Sequence, residues 1–150
     1  MKYQLGTAGG RPAVKLHGDV TDRDKPVFDE LQKALPNGDV TFDCDDLGTF
    51  NSPGAAVWIK FFRALPDGRR FSIVRAPDSV VAYLAVTPNF LGPARLASIY
   101  IMFVCVECQH NERRLLTREN HGEPSPCARC GRAVEPSCDP DELDRLFDKA

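Results

Sequence analysis

The stretch VTFDCDDLGTFNSPGAAVWIKFFRAL, Val40 to Leu65, decides the fold. Its first part alternates, with Val40, Phe42 and Cys44 on one face of a strand. Past Gly54 the period changes. Ala55, Trp58, Ile59, Phe62 and Leu65 fall on one helical stripe, and Val57, Phe61 and Ala64 widen it beyond a single face. The change of period falls within DLGTFNSPG, where Ser52 meets Pro53 and Gly54. A strand that feeds directly into a helix is half of a crossover unit, and crossover units build parallel sheets.

The flanks extend this pattern. KYQLGT and PAVKLHG around AGGR read as a hairpin, with Tyr3, Leu5, Val14 and Leu16 alternating with polar neighbours. TDRDKPVFDELQKALPNG reads as a helix with Pro26 in its first turn and Asp24 as its cap; Pro36-Asn37-Gly38 stops it. Val27, Phe28, Leu31, Ala34 and Leu35 form its apolar stripe. After Leu65, RFSIVR is a strand, APDSVVAYLAV a helix ended by Thr87-Pro88, FLGPARLA a connector, and SIYIMFV a last strand that runs into a cysteine pair. The order ββαβαβαβ predicts an α/β domain over residues 1–104, with a mixed sheet flanked by helices.

The apolar density falls near Cys105. Cys105-x2-Cys108 and Cys127-x2-Cys130 match the spacing of a zinc ribbon, in which two tight turns aim four thiolates at one ion. Gly131 suits the positive φ such a turn requires. RRLLTR between the pairs reads as a strand, followed by a Gly/Pro turn. Four protein sulfurs leave no coordination position open, so Zn2+ here is structural. Competing readings are two disulfides, a redox pair, or His110 or His121 replacing a cysteine. Cys44 fits a strand's core face, while Cys138 has no role in this scheme. The module is 105–138; CDPDELDRLFDKA then reads as a C-terminal helix over 139–150. Asp139, Pro140 and Glu142 lie at its start, and Leu143, Leu146 and Phe147 form a stripe expected to dock on the first domain.

Net charge is −2, with the negative excess at the C-terminal end: 12 basic and 11 acidic side chains in 1–104, five of each in 105–138, two and five in 139–150. No segment has the basic excess that phosphate-backbone binding uses, which counts against nucleic acid as a partner. SIYIMFVCV is too short to cross a bilayer, and the first residues carry no apolar secretory core, so no membrane partner and a cytoplasmic location are expected.

Ser52 has three readings. As a helix cap its hydroxyl accepts from a free amide of the first turn while Pro53 fills the first helical position. As a nucleophile it lacks the glycine two residues before it that a G-x-S-x-G elbow requires, and His17 is the only histidine of residues 1–104. The third reading comes from a resemblance. LHGDV, then VTFDCDDLGTFNSPGAAVWIKFFRAL, then FSIVRAPDSVVAYLAV resemble the STAS domain of bacterial anti-sigma-factor antagonists, over roughly residues 1–104. Asp43, Asn51, Ser52 and Gly54 match that family's acidic strand end and its Asp/Asn-Ser-x-Gly turn.

The resemblance implies a non-enzymatic signalling module that binds a protein partner, an anti-sigma factor or kinase-like regulator, through the turn and the helix after it. It implies partner contacts at Asn51, Ser52, Pro53, Gly54, Trp58, Phe61 and Phe62. Phospho-regulated members carry a serine or threonine just before the glycine. Here that residue is Pro53, which has no hydroxyl, so the phosphorylation switch is expected to be missing. The wide apolar arc of this helix reads either as an exposed aromatic docking patch or as burial under the zinc module. The alternative function is a zinc-ribbon protein associated with nucleic acid.

Overall fold

The computed structural model describes residues 1–123 and 126–148. The chain forms β1 (Lys2–Ala8), β2 (Arg11–Val20), α1 (Lys25–Ala34), β3 (Val40–Phe50), α2 (Ser52–Arg63), β4 (Phe71–Val74), α3 (Asp78–Val86), β5 (Arg95–Leu96), β6 (Ser98–Cys105), β7 (Asn111–Thr117), β8 (Val134–Pro136) and α4 (Pro140–Asp148). The architecture is mixed α/β. One sheet has the order β1-β2-β3-β4-β5, with β1 antiparallel to β2 and the remaining neighbours parallel. A second, antiparallel sheet has the order β7-β6-β8. No helix among the described residues is long and apolar enough to cross a membrane. Residues 149 and 150 of the expected C-terminal helix, and 124 and 125 of the expected turn in the cysteine module, lie outside the described residues.

The larger sheet has one apolar face. Val14, Leu16, Val40, Phe42, Cys44, Phe71 and Ile73 point into a core closed by Phe28 and Leu31 of α1, Trp58, Phe61 and Phe62 of α2, and Val80 and Leu84 of α3. Alternate positions, among them Lys15, Thr41, Asp43 and Ser72, are half-buried and polar.

The strand at the start of the deciding stretch is longer than its sequence pattern. It does not end near Cys44 but continues to Phe50. Cys44 and Leu47 both face the core although they are three apart, and the pairing with β2 shifts register between Lys15 and His17. The extra residue is absorbed as an irregularity in β3, which breaks the alternation that marks a strand in sequence. It also leaves Asp45 and Asp46 free to make ion pairs, with Arg75 at 2.9 Å and Lys15 at 2.7 Å.

The expected last strand SIYIMFV forms β6 and lies outside the main sheet, while the expected connector FLGPARLA supplies β5. Only β5, two residues long, pairs beside β4 in the main sheet; β6 is the central strand of the second sheet. A parallel bridge between Ala76 and Ile99 ties the two sheets together, and Ile99, Ile101 and Phe103 belong to the same core as Trp58. At α1, the Asp24 carboxylate does not cap the helix. It turns back and accepts from the Thr21 amide at 2.7 Å, closing a capping box on the 3-10 turn before α1.

The C-terminal helix docks by Leu143, Leu146 and Phe147, all buried in the common core. The turn after β7 grips it. Arg118 donates to the Phe147 carbonyl, and the His121 ring packs on Phe147 at 4.9 Å. His121 Nδ1 faces the carbonyls of Thr117 and Arg118, and Nε2 faces the Asp144 carboxylate at 2.5 Å. All three partners are acceptors, so both ring nitrogens have to donate, and only imidazolium does that. The pKa of His121 is accordingly raised, by Asp144 foremost. A histidine whose folded pKa is raised adds stability that is fully present below its unfolded value of about 6.5 and is lost as pH climbs through the folded value. Amide-exchange protection of Leu143, Leu146 and Phe147 is therefore expected to fall as pH rises above the ordinary histidine value of about 6.5, and to become independent of pH in His121→Gln; wild-type protection that stays unchanged as pH rises contradicts the bond.

Candidate functional site

Two places bear on function, the four-cysteine cluster and the corner where β3 meets α2.

Cys105 ends β6 and Cys108 lies in the turn after it; Cys127 and Cys130 occupy a facing turn near the Pro126–Ala133 bridge. The four sulfurs lie within 4.8 Å of one another. Cys105 and Cys130 are 3.5 Å apart, and Cys108 and Cys127 are 3.7 Å apart. A tetrahedral ion with metal–sulfur bonds of about 2.3 Å has sulfur–sulfur edges of about 3.8 Å, so the four donors suit one ion. The same separations are far beyond the roughly 2.05 Å of a disulfide.

The two turns repeat one geometry. Gln109 N donates to the Cys105 carbonyl and Gly131 N to the Cys127 carbonyl, each at 2.9 Å. Cys105 N donates to the His110 carbonyl and Cys127 N to that of Arg132. The residue after each second cysteine is left-handed, Gln109 at φ 61° and Gly131 at φ 75°. The amide of Cys108, aided by that of Glu107, outweighs burial and brings the Cys105 thiol down to about 7, while burial and the neighbouring Cys105 push Cys108 and Cys130 up, so a bound cation would be needed to hold all four as thiolates.

Glu112 and Arg114 were not legible as part of this site. Glu112 accepts from the Ala128 amide at 3.0 Å and from Arg114 Nε at 3.1 Å, while Arg114 also donates to the Pro126 carbonyl. One strand of the hairpin thereby anchors the turn carrying Cys127. Among the described residues the cluster is the one group of His, Cys, Asp or Glu placed to hold a metal. His110 and His121 lie outside it. Cys138 also lies outside and packs half-buried against the core. Cys44 is a buried core thiol whose pKa burial pushes up.

At the corner, the cap of α2 is Asn51, not Ser52. Asn51 Oδ1 accepts from Gly54 N at 2.7 Å, while Ser52 is the first helical residue and Pro53 the second. Asn51 has the extended backbone a cap adopts, and its amide oxygen reaches the first-turn N–H that a serine one residue later cannot. Asn51, Ser52 and Pro53 are exposed. Gly54 is buried, and a Cβ there would stand 2.1 Å from the Val20 carbonyl oxygen; glycine is required because helix and strand touch backbone to backbone.

The expected aromatic docking patch is corrected. Trp58 and Phe62 are completely buried and Phe61 nearly so. The zinc module does not cover them; α1 and the segment 87–94 do. Phe28 meets Phe61 at 5.1 Å, and Phe90 stacks on Trp58 at 5.8 Å. Gly92, at φ 55°, lets that segment lie on α2, for a Cβ there would be 2.3 Å from the Phe62 carbonyl oxygen. Both flanks of α2 are thus packed, which accounts for its wide apolar arc.

The face of α2 left to solvent carries Ala56, Lys60, Arg63 and Ala64 as exposed residues and Ile59 half-buried. Beside it a shallow groove between α1 and α2 is floored by Phe28, Val57 and Phe61 and rimmed by Lys25, Asp29 and Lys60.

Asp43 is not brought to the corner. It lies within β3, roughly 25 Å along the strand from Asn51, and accepts a two-pronged bond from Arg75, whose positive φ of 54° aims it there. His17 pairs in register with Asp46 rather than with Asp43 or Ser52. No protein-family model, curated protein or solved structure matches this chain.

Proposed function

We propose that this chain is a non-enzymatic regulatory module that binds a protein partner in the manner of an anti-sigma-factor antagonist, with structural zinc in the four-cysteine site. The carrying observation is the uncovered strip that starts at Ser52 and Pro53 and continues along α2 through Ala56, Lys60, Arg63 and Ala64. Small residues flanked by two cations suit a partner that presents an apolar knob within acidic surroundings. Residues Asn51, Ser52 and Pro53 keep the docking role expected of them; Gly54, Trp58, Phe61 and Phe62 support that surface from beneath. Pro53 offers no acceptor for phosphate, so binding is governed here by supply of the partner or of this chain rather than by a kinase at that residue. Zinc is favoured over other ions by the all-thiolate donor set and its tetrahedral spacing.

The test uses paired baits, wild type and Ala56→Arg, a substitution on an exposed helix position by a good helix former. A partner captured from the native cell by wild type is expected to bind Ala56→Arg more weakly by on the order of 30-fold, with the melting temperature unchanged. Equal affinity for both baits refutes the α2 strip as the docking surface.

A further inference from the structure

A second concave feature lies at the other end of β3 from the corner, about 35 Å away along the strand. It is a groove of about 500 Å3 at the start of the parallel strands, and its lining holds four arginines, Arg11, Arg69, Arg70 and Arg95, against one carboxylate, Asp39. We propose that this groove binds a small phosphate-bearing ligand of nucleotide size.

Register places the groove. Ala13, Thr41, Ser72 and Arg95 are successive neighbours across β2, β3, β4 and β5, so Thr41, Ser72 and Arg95 form a row on the polar face of the sheet. Arg11, two residues before Ala13, projects from that same face. Two hydroxyls side by side, about 4.8 Å apart, therefore floor a site walled by guanidiniums.

The arginines are not equivalent. Arg69 is part of the wall: it donates to the carbonyls of Gly38 and Pro36 and lies over the Phe71 ring. The side chains of Arg11, Arg70 and Arg95 bond to no other side chain among the described residues. Asp39, whose Oδ1 accepts from the Arg70 amide at 3.0 Å, offsets only one of these charges and makes no ion pair with any of the three. Three guanidiniums without carboxylate partners, gathered on one concave surface, repel one another unless an anion joins them. Phosphate oxygens match the guanidinium fork two at a time and accept from hydroxyls as well.

The volume falls in the range of roughly 300–1,000 Å3 that small-ligand sites occupy. A nucleic-acid strand needs a basic track extending past the site, and residues 1–104 carry a surplus of only one positive charge. The groove therefore favours a small ligand.

The experiment is calorimetric titration of the full, metal-loaded chain at low salt with three probes: inorganic pyrophosphate, ADP and a short single-stranded oligonucleotide. Pyrophosphate or ADP is expected to bind, and Arg70→Gln and Arg95→Gln each to weaken that binding by about tenfold. Both positions are exposed, so the variants are expected to melt like wild type, and Arg23→Gln, remote on the turn before α1, is expected to bind normally. Binding of neither small probe, or binding that survives both arginine substitutions, overturns the proposal. An oligonucleotide that binds more tightly than both small probes overturns it in favour of a strand-binding groove.

Discussion

Cys127→Ser is expected to empty the metal site and to unfold the β6–β7–β8 sheet beyond the core. The reason is the small apolar content of the module. Among the described residues of 105–138 the buried apolar side chains are Cys105, Leu116 and Cys127, and two of those three belong to the four-cysteine cluster. Burying one such side chain contributes about 1.5–3 kcal/mol, whereas ordering each residue costs about 1–2 kcal/mol of backbone entropy. Burial alone cannot hold this segment. A thiolate-bound structural ion, worth roughly 10–16 kcal/mol apparent at neutral pH, is the largest single contribution available to order it. Elemental analysis is expected to find one zinc per wild-type chain and none in Cys127→Ser. Amide exchange is expected to lose protection over Asn111–Thr117 and Val134–Pro136 while β2 and β3 stay protected. Chelation of the wild-type metal is expected to reproduce the pattern. A metal-free chain that keeps β7 protected refutes the account.

The same two features, the thiol spacing and the change of period after Phe50, carried most of what was legible in the sequence. Ligand spacing is local: each pair needs one turn, and Gly131 marked the left-handed position after the second pair, where the structure has it. Gln109 holds the equivalent position after the first pair without a glycine, so composition gave no sign of it. Element order was legible because periodicity is a local property too. What sequence could not carry was which side of an element faces what. The apolar arc of α2 was visible, but its cover comes from Phe28, earlier in the chain, and from Phe90 and Gly92 in a segment that reads only as a connector. The run past Cys44 was hidden by an irregularity that breaks alternation, and the placing of SIYIMFV in a second sheet, with β5 formed from the connector FLGPARLA, by pairing partners that no local pattern records. Charge counts hid the arginine groove for a related reason: Arg11, the adjacent Arg69 and Arg70, and Arg95 converge only once β2, β4 and β5 are aligned. Glu112 and Arg114 look like any exposed charged residues of a strand until the turn carrying Cys127 is seen to rest on them.

Trp58→Ala is expected to cost about 3–5 kcal/mol of stability, the range for truncating a buried aromatic. Trp58 has no solvent exposure and touches Phe62 at 4.4 Å, Phe50 at 5.2 Å and Phe90 at 5.8 Å between ring centres. It thus joins α2 to β3 and to the segment 87–94, and its removal opens a cavity among groups that are themselves anchored. Trp58→Phe provides the contrast. The indole Nε1 is buried without a hydrogen-bond partner, so phenylalanine sacrifices no bond and removes an unsatisfied donor; a loss of about 1 kcal/mol is expected. Urea denaturation of the metal-loaded chain, followed by circular dichroism because Trp58 is the sole tryptophan, measures both. The pair separates core from docking surface: a core residue tolerates the apolar ring and not the truncation, whereas a contact residue leaves the denaturation midpoint unmoved in both variants and changes partner affinity instead. An unmoved midpoint in Trp58→Ala would return the indole to the surface and, with it, the docking face to the opposite side of α2.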